Sequence, residues 1–318
     1  MKDEYRHVPV LLEESIEGLK LRDGSIALDC TLGGAGHSAK IASCIAPNGI
    51  LIGLDQDDAS LAKANLTLQN THTLASPVLI KGNFGDLDHH LLRAQIPYVD
   101  AVLFDLGVSS PQFDFPNRGF TYRQNAPLDM RMDQHSTGKT AAEILNTYSQ
   151  LDLYEVLKAG GEEKWALRIA SFICKARQTN KFKTTDQLVD VVKNAIPAKM
   201  RRIGGHPAKR TFQALRIEVN DELAVLKRGL QSAIRWLSPG GRIVVISYHS
   251  IEDSIVKHTF LKFANRCICP ADLPVCACGR KPIVKIVTKR AICPSSEEIE
   301  NNPRARSARL RIAQKCSI

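Results

Sequence analysis

Residues 26–37 contain the residue types of a cofactor site. A short apolar run ends at Asp29, and glycines that include Gly34 and Gly36 follow before a helix-compatible segment starts at Ser38. This order predicts a buried strand, a tight turn and the first turn of a helix, which is where open α/β sheets bind nucleotide-like cofactors. Glycine suits such a turn because a Cβ would obstruct both the sharp turn and a closely bound ligand.

Two cofactors fit this turn. Gly34, Gly36 and Ala39 satisfy the G-x-G-x-x-G/A pattern, and Asp55 follows Gly34 by 21 residues, so NAD is one interpretation. Asp29 favours S-adenosylmethionine (SAM), because a carboxylate there opposes a pyrophosphate at the helix N-terminus but attracts the ammonium and sulfonium groups of SAM. We therefore predict SAM, with Asp29, Gly34 and Asp55 at its site. A glycine-rich turn without any ligand is the structural alternative.

A second group with catalytic chemistry follows the apolar run 99–105. Asp105 ends this run, and Ser109 lies four residues later. The carboxylate of Asp105 can accept a hydrogen bond from an amino group and keep electron density on its nitrogen while a methyl group arrives. The hydroxyl of Ser109 can orient the same group. The alternatives are that Asp105 caps the next turn or binds the cofactor.

Tyr248 and His249 follow another apolar run, 242–247. A histidine at a strand end can contact substrate or relay a proton. Tyr248 can stack on a base that has left its helix, as base-modifying enzymes require. A hydrogen-bonded structural histidine and a buried tyrosine ring are the structural alternatives.

Alternating strands and helices must position these residues. Strands are predicted at 26–29, 50–55, 78–84, 99–105 and 242–247, and their carboxyl ends carry polar residues or glycine. This rhythm predicts an α/β fold with a doubly wound, mostly parallel sheet, whose ligands bind along the carboxyl edge. Residues 282–288 and 307–313 are predicted to add two final strands.

The rhythm stops between residues 111 and 209, where helical periodicity replaces strand patterns. We predict an inserted helical domain at 111–209, between core parts at 1–110 and 210–318. Apolar residues recur at three- and four-residue steps from Leu215 to Leu237, which predicts one long helix.

The net charge of +10 is unevenly distributed. Residues 1–110 hold 8 basic and 14 acidic side chains, a net charge of −6, whereas 111–210 and 211–318 carry +7 and +9. An acidic cofactor half and a basic remainder are typical of an enzyme with a polyanionic substrate. A merely solvated basic surface is the alternative. The candidate RNA contacts are Arg131, Arg201, Arg202, Lys209 and Arg210.

Nine cysteines and no recognisable signal peptide or bilayer-length apolar run indicate a reducing, cytoplasmic location without membrane attachment. Cys267, Cys269, Cys276 and Cys278 form two pairs that could supply four thiolates to one zinc ion. Their spacing is C-x-C rather than C-x2-C, which favours free thiols, so no metal is predicted.

With these residues in view, the chain resembles the ribosomal RNA small subunit methyltransferase H family, also called MraW. The resemblance rests on the blocks 7–12, 29–38, 105–112, 126–133, 206–216, 247–253 and 302–307. It implies a class I SAM-dependent methyltransferase fold with a helical insertion. It also implies methylation of the exocyclic N4 of a cytidine in the decoding centre of 16S rRNA, with the small ribosomal subunit as partner. A homodimer is a separate expectation that does not rest on the resemblance.

The resemblance also implies a set of SAM contacts, namely Ala35, Gly36, His37, Asp55, Phe84, Asp105 and Gln112. Related amino-methyltransferases carry an Asp-Pro-Pro-Tyr motif after the fourth strand, and its aromatic ring stacks on the target base. Leu-Gly-Val follows Asp105 here, so Tyr248 or Phe113 is expected to supply that ring. The phenylalanine usual in the family's Ser-Phe-His-Ser block is Tyr248 in this chain.

Three other functions compete with this reading. An NAD-linked dehydrogenase explains neither Asp29 nor the basic part of the chain. A non-catalytic RNA-binding protein explains the charge but not the polar strand ends, and a small-molecule methyltransferase leaves the charge distribution unexplained. For an RNA methyltransferase we expect direct in-line attack by N4 on the methyl group, with positioning and electrostatics supplying most of the catalysis.

Overall fold

The computed structural model describes residues 9–71, 77–107, 116–202, 205–264, 278 and 281–317. Within them, seven strands form one sheet in the order β3-β2-β1-β4-β5-β7-β6. Their bounds are β1 Ile26–Asp29, β2 Ile50–Asp55, β3 Pro77–Lys81, β4 Val99–Asp105, β5 Leu237–Ser247, β6 Val284–Ile286 and β7 Arg309–Lys315.

Strands β1 to β5 pair in parallel, and β7 runs antiparallel to both β5 and β6. The doubly wound, mostly parallel sheet predicted from the sequence is therefore present. The strand order reverses between β1 and β4, and ligands of such sheets bind at the carboxyl ends beside this reversal. Asp29 and Asp105 end these two strands.

The helices cover both faces of the sheet and form a separate group between β4 and β5. Their bounds are α1 Leu12–Leu19, α2 Gly36–Ile45, α3 Asp58–Gln69, α4 Leu87–Arg93, α5 Ala141–Thr147, α6 Gln150–Gly161, α7 Ala166–Thr179, α8 Thr185–Ala195, α9 Lys209–Asn220, α10 Glu222–Trp236, α11 Ser250–Ala264 and α12 Ser296–Asn301. In the described part of the chain, none of them is both long enough and apolar enough to span a bilayer.

The chain divides into two compact units. The sheet unit comprises residues 1–107 and 224–318, and the helical unit comprises 108–223. The sheet unit has an apolar core on each face of its strands, which fits their nearly continuous apolar sequences.

The helical unit has its own apolar core, which α5 to α9 supply together with the segment 120–132. Capping boxes at Thr140 and Ser149 start α5 and α6 by satisfying the first free backbone N–H groups. Helix α9 packs closely on α6, since a Cβ added at Gly161 would lie 2.6 Å from the carbonyl oxygen of Arg210.

The predicted helix 215–237 is wrong in one respect, because the chain breaks at Asp221. This residue has a φ of +49° and separates α9 from α10. An aspartate tolerates the left-handed region better than most residues, so the helix can break here without a glycine. The three- and four-residue spacing of apolar residues therefore gave no sign of the break. The boundary between the units falls just after it, at 223–224, rather than at the predicted 209–210.

Candidate cofactor and catalytic site

Asp29 lies beneath the turn that joins β1 to α2. Its side chain is 1% exposed, and its two oxygens accept hydrogen bonds from the Thr31 backbone N–H at 3.0 Å and from the Ser38 hydroxyl at 2.7 Å. Burial raises the pKa of this carboxyl, although these two bonds and nearby His37 oppose the rise. The strand end therefore places a fixed acid under the turn, as the sequence indicated.

Asp55 holds the same turn from the end of β2. One carboxylate oxygen accepts the Gly33 N–H at 2.8 Å, and the other accepts the Asp57 N–H at 2.9 Å. Burial raises the pKa of Asp55 to about 6, and the negative charges of Asp57 and Asp29 add to this rise. Two carboxylates thus accept hydrogen bonds from one turn, and their negative charges favour a cation beside it.

The turn itself is built from left-handed residues. Gly33 has a φ of +51° and Ala35 a φ of +61°, and Ala35 is fully buried. The need for glycine at Gly36 differs from our expectation, because a Cβ there would overlap the ring of Pro9 rather than a ligand position. At Gly34 a Cβ would meet the Lys63 side chain at an ordinary 3.5 Å.

Asp105 is joined to both His37 and Tyr248. The Tyr248 hydroxyl donates a hydrogen bond to Oδ1 at 2.7 Å, and Oδ2 lies 3.6 Å from Nδ1 of His37. The other ring nitrogen of His37, Nε2, lies 3.0 Å from the carbonyl oxygen of Val10. Burial raises the pKa of Asp105, whereas His37 and Tyr248 oppose that rise.

Thr31 connects the two strand ends at the reversal of strand order. Its hydroxyl accepts the Asp105 backbone N–H at 2.6 Å and lies 3.4 Å from Oδ1 of Asp29. Thr31 and Ser38 are site residues that were not predicted from the sequence. Their places directly after the strand and at the start of α2 are the signals that could have identified them.

Phe84 follows β3, where the sequence placed it. Its ring meets Phe104 edge-on, with centroids 5.4 Å apart, and a Cβ added at Gly229 would lie 2.6 Å from its Cδ2 atom. The neighbouring Asn83 donates to Oε1 of Gln56 at 3.0 Å. Packing therefore fixes the ring at the same edge as Asp55, and Gln56 and Asn83 are polar residues there that the analysis did not select.

His249 is joined to the first turn of its own helix. Its Nε2 atom lies 3.0 Å from Oε1 of Glu252, and its Nδ1 atom accepts the Glu252 backbone N–H at 3.3 Å. The second oxygen of Glu252 accepts the Tyr248 N–H at 2.9 Å. These contacts favour the structural reading of His249, and they show that Glu252, which the sequence analysis did not select, fixes this strand end.

The candidate RNA contacts lie in the helical unit. Arg131 forms a two-point pair with Asp129 and also donates to the Ser136 carbonyl at 2.7 Å, so its guanidinium holds its own loop. Arg201 donates to the Ile196 carbonyl at 2.8 Å. Lys209 and Arg210 are exposed at the start of α9, where Arg210 also donates to the Glu162 carbonyl at 2.8 Å.

Several predicted residues lie outside the described part of the chain. They are Ser109, Gln112, Phe113, Cys267, Cys269 and Cys276, together with the side chain of Arg202. Among the described residues, no group of three or more potential ligands could hold a metal ion. The zinc candidate is thus untested, since Cys278 is the only described member of its set.

A family model described as the MraW methylase family matches residues 4–316. The chain belongs to this family. Ribosomal RNA small subunit methyltransferase H from Halothermothrix orenii is 49% identical, covering 97% of this chain and 98% of its own length. The protein of that name from Finegoldia magna is 50% identical, with coverage of 98% and 99%.

Membership of the MraW family confirms the resemblance and decides the choice of cofactor. The chain is a methyltransferase, and its cofactor is SAM rather than NAD. Its fold is the class I, Rossmann-like fold of SAM-dependent methyltransferases, with the strand order given above.

Solved structures that match this chain have low sequence identity and TM-scores below 0.5. An rRNA methylase from Streptococcus thermophilus is 11% identical with a TM-score of 0.42, covering 96% of this chain and 93% of that one. A SAM-dependent O-methyltransferase from Thermotoga maritima is 9% identical with a TM-score of 0.44, covering 99% and 69%.

Proposed function

We propose that this methyltransferase methylates the exocyclic N4 of a cytidine in the decoding centre of 16S rRNA. Support comes from its relatives at about half identity, which are named as small-subunit ribosomal RNA methyltransferases. The carrying observation in the structure is the carboxylate of Asp105, which ends β4 beside the reversal of strand order and remains 22% exposed. An acceptor at this point suits an amine that is to be methylated.

The residues at the carboxyl edge fit a cationic methyl donor. When bound, SAM supplies a methyl group already activated by its positively charged sulfur. Three carboxylates, those of Asp29, Asp55 and Asp105, lie around the turn, and burial raises the pKa of each. A cation stabilises their ionised forms, so the electrostatics of the site match the charge of the ligand.

We assign the cofactor contacts to the turn and to the ends of the neighbouring strands. They are Ala35, Gly36, His37, Asp55, Phe84, Asp105 and Gln112, with Asp29 and Gly34 supporting the turn. Asp55 is the acceptor expected for ribose hydroxyls, because it ends the second strand in the position where such acids occur. Ser109 remains a proposed substrate contact.

For the reaction itself, Asp105 accepts a hydrogen bond from the target amine. SAM held at this edge would supply the methyl group to N4, and its sulfur would keep the electron pair of the carbon–sulfur bond. The nitrogen then releases a proton, which becomes labile only as the new bond forms, so no strong base is required. Orientation of the amine by Asp105 is therefore the main contribution expected from this chain.

We propose that the basic helical unit binds the RNA. Residues 111–210 carry a net charge of +7, and Lys209 and Arg210 are exposed. When a protein contacts phosphates, the logarithm of its binding constant falls linearly with the logarithm of the salt concentration. Replacing both Lys209 and Arg210 with alanine should therefore reduce the slope of this line by about 2 at most. Asp186→Asn and Asp190→Asn, which remove exposed acids from the same unit, should not reduce it.

The deciding experiment uses small ribosomal subunits from cells that lack the modification. Incubation with methyl-labelled SAM should transfer label to 16S rRNA, and nucleoside digestion should yield N4-methylcytidine. Asp105→Asn should transfer far less label. Label in another nucleoside, or none at all with the wild-type protein, would contradict the proposed substrate. A cytoplasmic location and a homodimer remain proposals, and size-exclusion chromatography tests the second.

A further inference from the structure

We propose that Tyr248 is a positioning residue, whose hydroxyl aligns the Asp105 carboxylate and keeps it ionised for the cationic methyl donor. This inference rests on the assignment of Asp105 to the cofactor in the proposed function. It concerns the hydroxyl, whose oxygen lies 2.7 Å from Oδ1 of Asp105, whereas the stacking role expected for the ring stays a prediction.

The hydrogen bonds of His37 decide which side chain donates to the Asp105 carboxylate. A carbonyl oxygen only accepts hydrogen bonds, so the nitrogen 3.0 Å from the Val10 carbonyl, Nε2, must carry a proton. In the neutral ring the other nitrogen, Nδ1, has a lone pair and no proton. It lies 3.6 Å from Oδ2 of Asp105, which is longer than a hydrogen bond.

Among the described residues, Tyr248 is therefore the side chain that donates a hydrogen bond to this carboxylate. The negative charges of Asp29 and Glu252 raise the pKa of Asp105 further beyond the effect of burial. The hydrogen bond from Tyr248 acts in the opposite direction, since it stabilises the ionised form. The phenol stays protonated, because burial and the charges of Asp105, Glu252 and Glu298 hold the pKa of Tyr248 well above its ordinary value.

Tyr248 is itself held in place. Its backbone N–H donates to Glu252 at 2.9 Å, and its ring lies beside Gly107, where an added Cβ would be 3.5 Å from Cδ2. Asp105 of β4 is paired with Ile246 of β5, and Tyr248 follows Ile246 by two residues. The backbone of Tyr248 is therefore close to Asp105. The geometry thus leaves Oδ2 of Asp105 to contact a ligand while Oδ1 is fixed by the phenol.

The test uses Tyr248→Phe, which keeps the ring and removes only the hydroxyl. Calorimetric titration with SAM from pH 5 to 8.5 should show binding that is weaker on the acid side by up to about tenfold, because losing one hydrogen bond to the ionised carboxylate favours its protonated form. Protonation of both Asp55 and Asp105 should weaken binding at acid pH, and only the part of this acid limb that reports Asp105 should move to higher pH, by about one unit. Tyr98→Phe is the matched control, because Tyr98 is exposed and belongs to the same unit.

Two outcomes would overturn the inference. One is a Tyr248→Phe protein that binds SAM like the wild type with an unchanged acid limb. The other is a lower melting temperature with the limb still at the wild-type pH, which would show a purely structural hydroxyl. Asp105→Asn separates the two proposals. If it weakens SAM binding and Tyr248→Phe does not, only the role of Tyr248 fails, whereas unchanged binding in Asp105→Asn overturns the assignment of Asp105 and with it this inference.

Discussion

Replacing Asp55 with asparagine should make the sheet unit more stable at neutral pH while it weakens cofactor binding. The pKa of Asp55 rises from 3.8 to about 6 in the folded protein. A shift of about 2 units corresponds to about 3 kcal/mol of unfavourable free energy when the carboxyl is ionised. Asparagine removes this cost but has one acceptor oxygen instead of two, so one of the bonds from Gly33 and Asp57 is lost, at about 1–2 kcal/mol.

The net gain for Asp55→Asn is therefore about 1–2 kcal/mol at pH 7.5, and it should depend on pH. The folded protein binds a proton at Asp55 more tightly than the unfolded chain, so wild-type stability increases as the pH falls from about 6 towards 4. The cost of ionisation is fully present above pH 6 and absent once Asp55 is protonated. The advantage of the variant should accordingly disappear at about pH 5, and at about pH 4 the variant should be less stable than the wild type.

Urea denaturation measures this if the signal comes from the sheet unit alone. The chain has two tryptophans, and Trp165→Phe leaves Trp236 of the sheet unit as the sole reporter. Asp58→Asn is the control, because this carboxylate is 53% exposed and its pair with Lys81 should contribute little. An Asp55→Asn protein that is less stable than the wild type at pH 7.5, or equally favoured at pH 4 and 7.5, would refute the reasoning.

Three further substitutions have expected effects on stability that urea denaturation can measure. Lys20→Gly should stabilise the protein by about 0.5–1 kcal/mol, because Lys20 is exposed with a φ of +55° after α1, and destabilisation would contradict this. Arg216→Ala should cost about 3 kcal/mol, since it leaves Glu222 without its two-point partner in a pair that is 13% exposed on each side; a loss below 1 kcal/mol would show that solvent compensates. Ser38→Ala removes a donor to buried Asp29 and should cost about 1–3 kcal/mol, and calorimetry should also show weaker SAM binding, so unchanged values for both would be inconsistent with the contact.

The parallel strands could be predicted from the sequence because the residues of each strand show whether it is buried. Strand β4, for example, is an almost unbroken apolar run that ends in an acid, since it is buried on both faces and polar only at its carboxyl end. The same logic located Asp29, Asp55 and Asp105 at one edge without any knowledge of their contacts. A strand end is a local property, and its place in a parallel sheet follows from topology.

The break at Asp221 could not be predicted in this way. The apolar stripe continues in register across it, and the residue there is neither glycine nor proline. Helix α9 ends because the backbone of Asp221 is left-handed. An aspartate can adopt this conformation at modest cost, but its presence in a sequence does not predict it. Its consequence is large, because the boundary between the two units follows within three residues.

Hydrogen bonds between residues that are far apart in the sequence could not be predicted either. Tyr248 and Asp105 are separated by 143 residues, and Thr31 and Asp105 by 74. The sequence showed that each lies near a strand end, which permits a contact, but the direction of a side chain depends on packing around it. The sequence therefore predicted a stacking role for the ring of Tyr248, which stays a prediction, but not the hydrogen bond that its hydroxyl donates to Asp105.

The hydrogen bonds of the buried carboxylates also explain why the site is unfavourable for the free protein and favourable for a bound cation. Asp29 and Asp105 each accept donors from the chain, yet burial still raises the pKa of both carboxyls. The polypeptide thus supplies enough hydrogen bonds to orient the carboxylates but not enough to offset their desolvation. A positively charged ligand supplies the missing stabilisation, so the charge that destabilises the free protein is the one that should favour SAM over a neutral or anionic competitor.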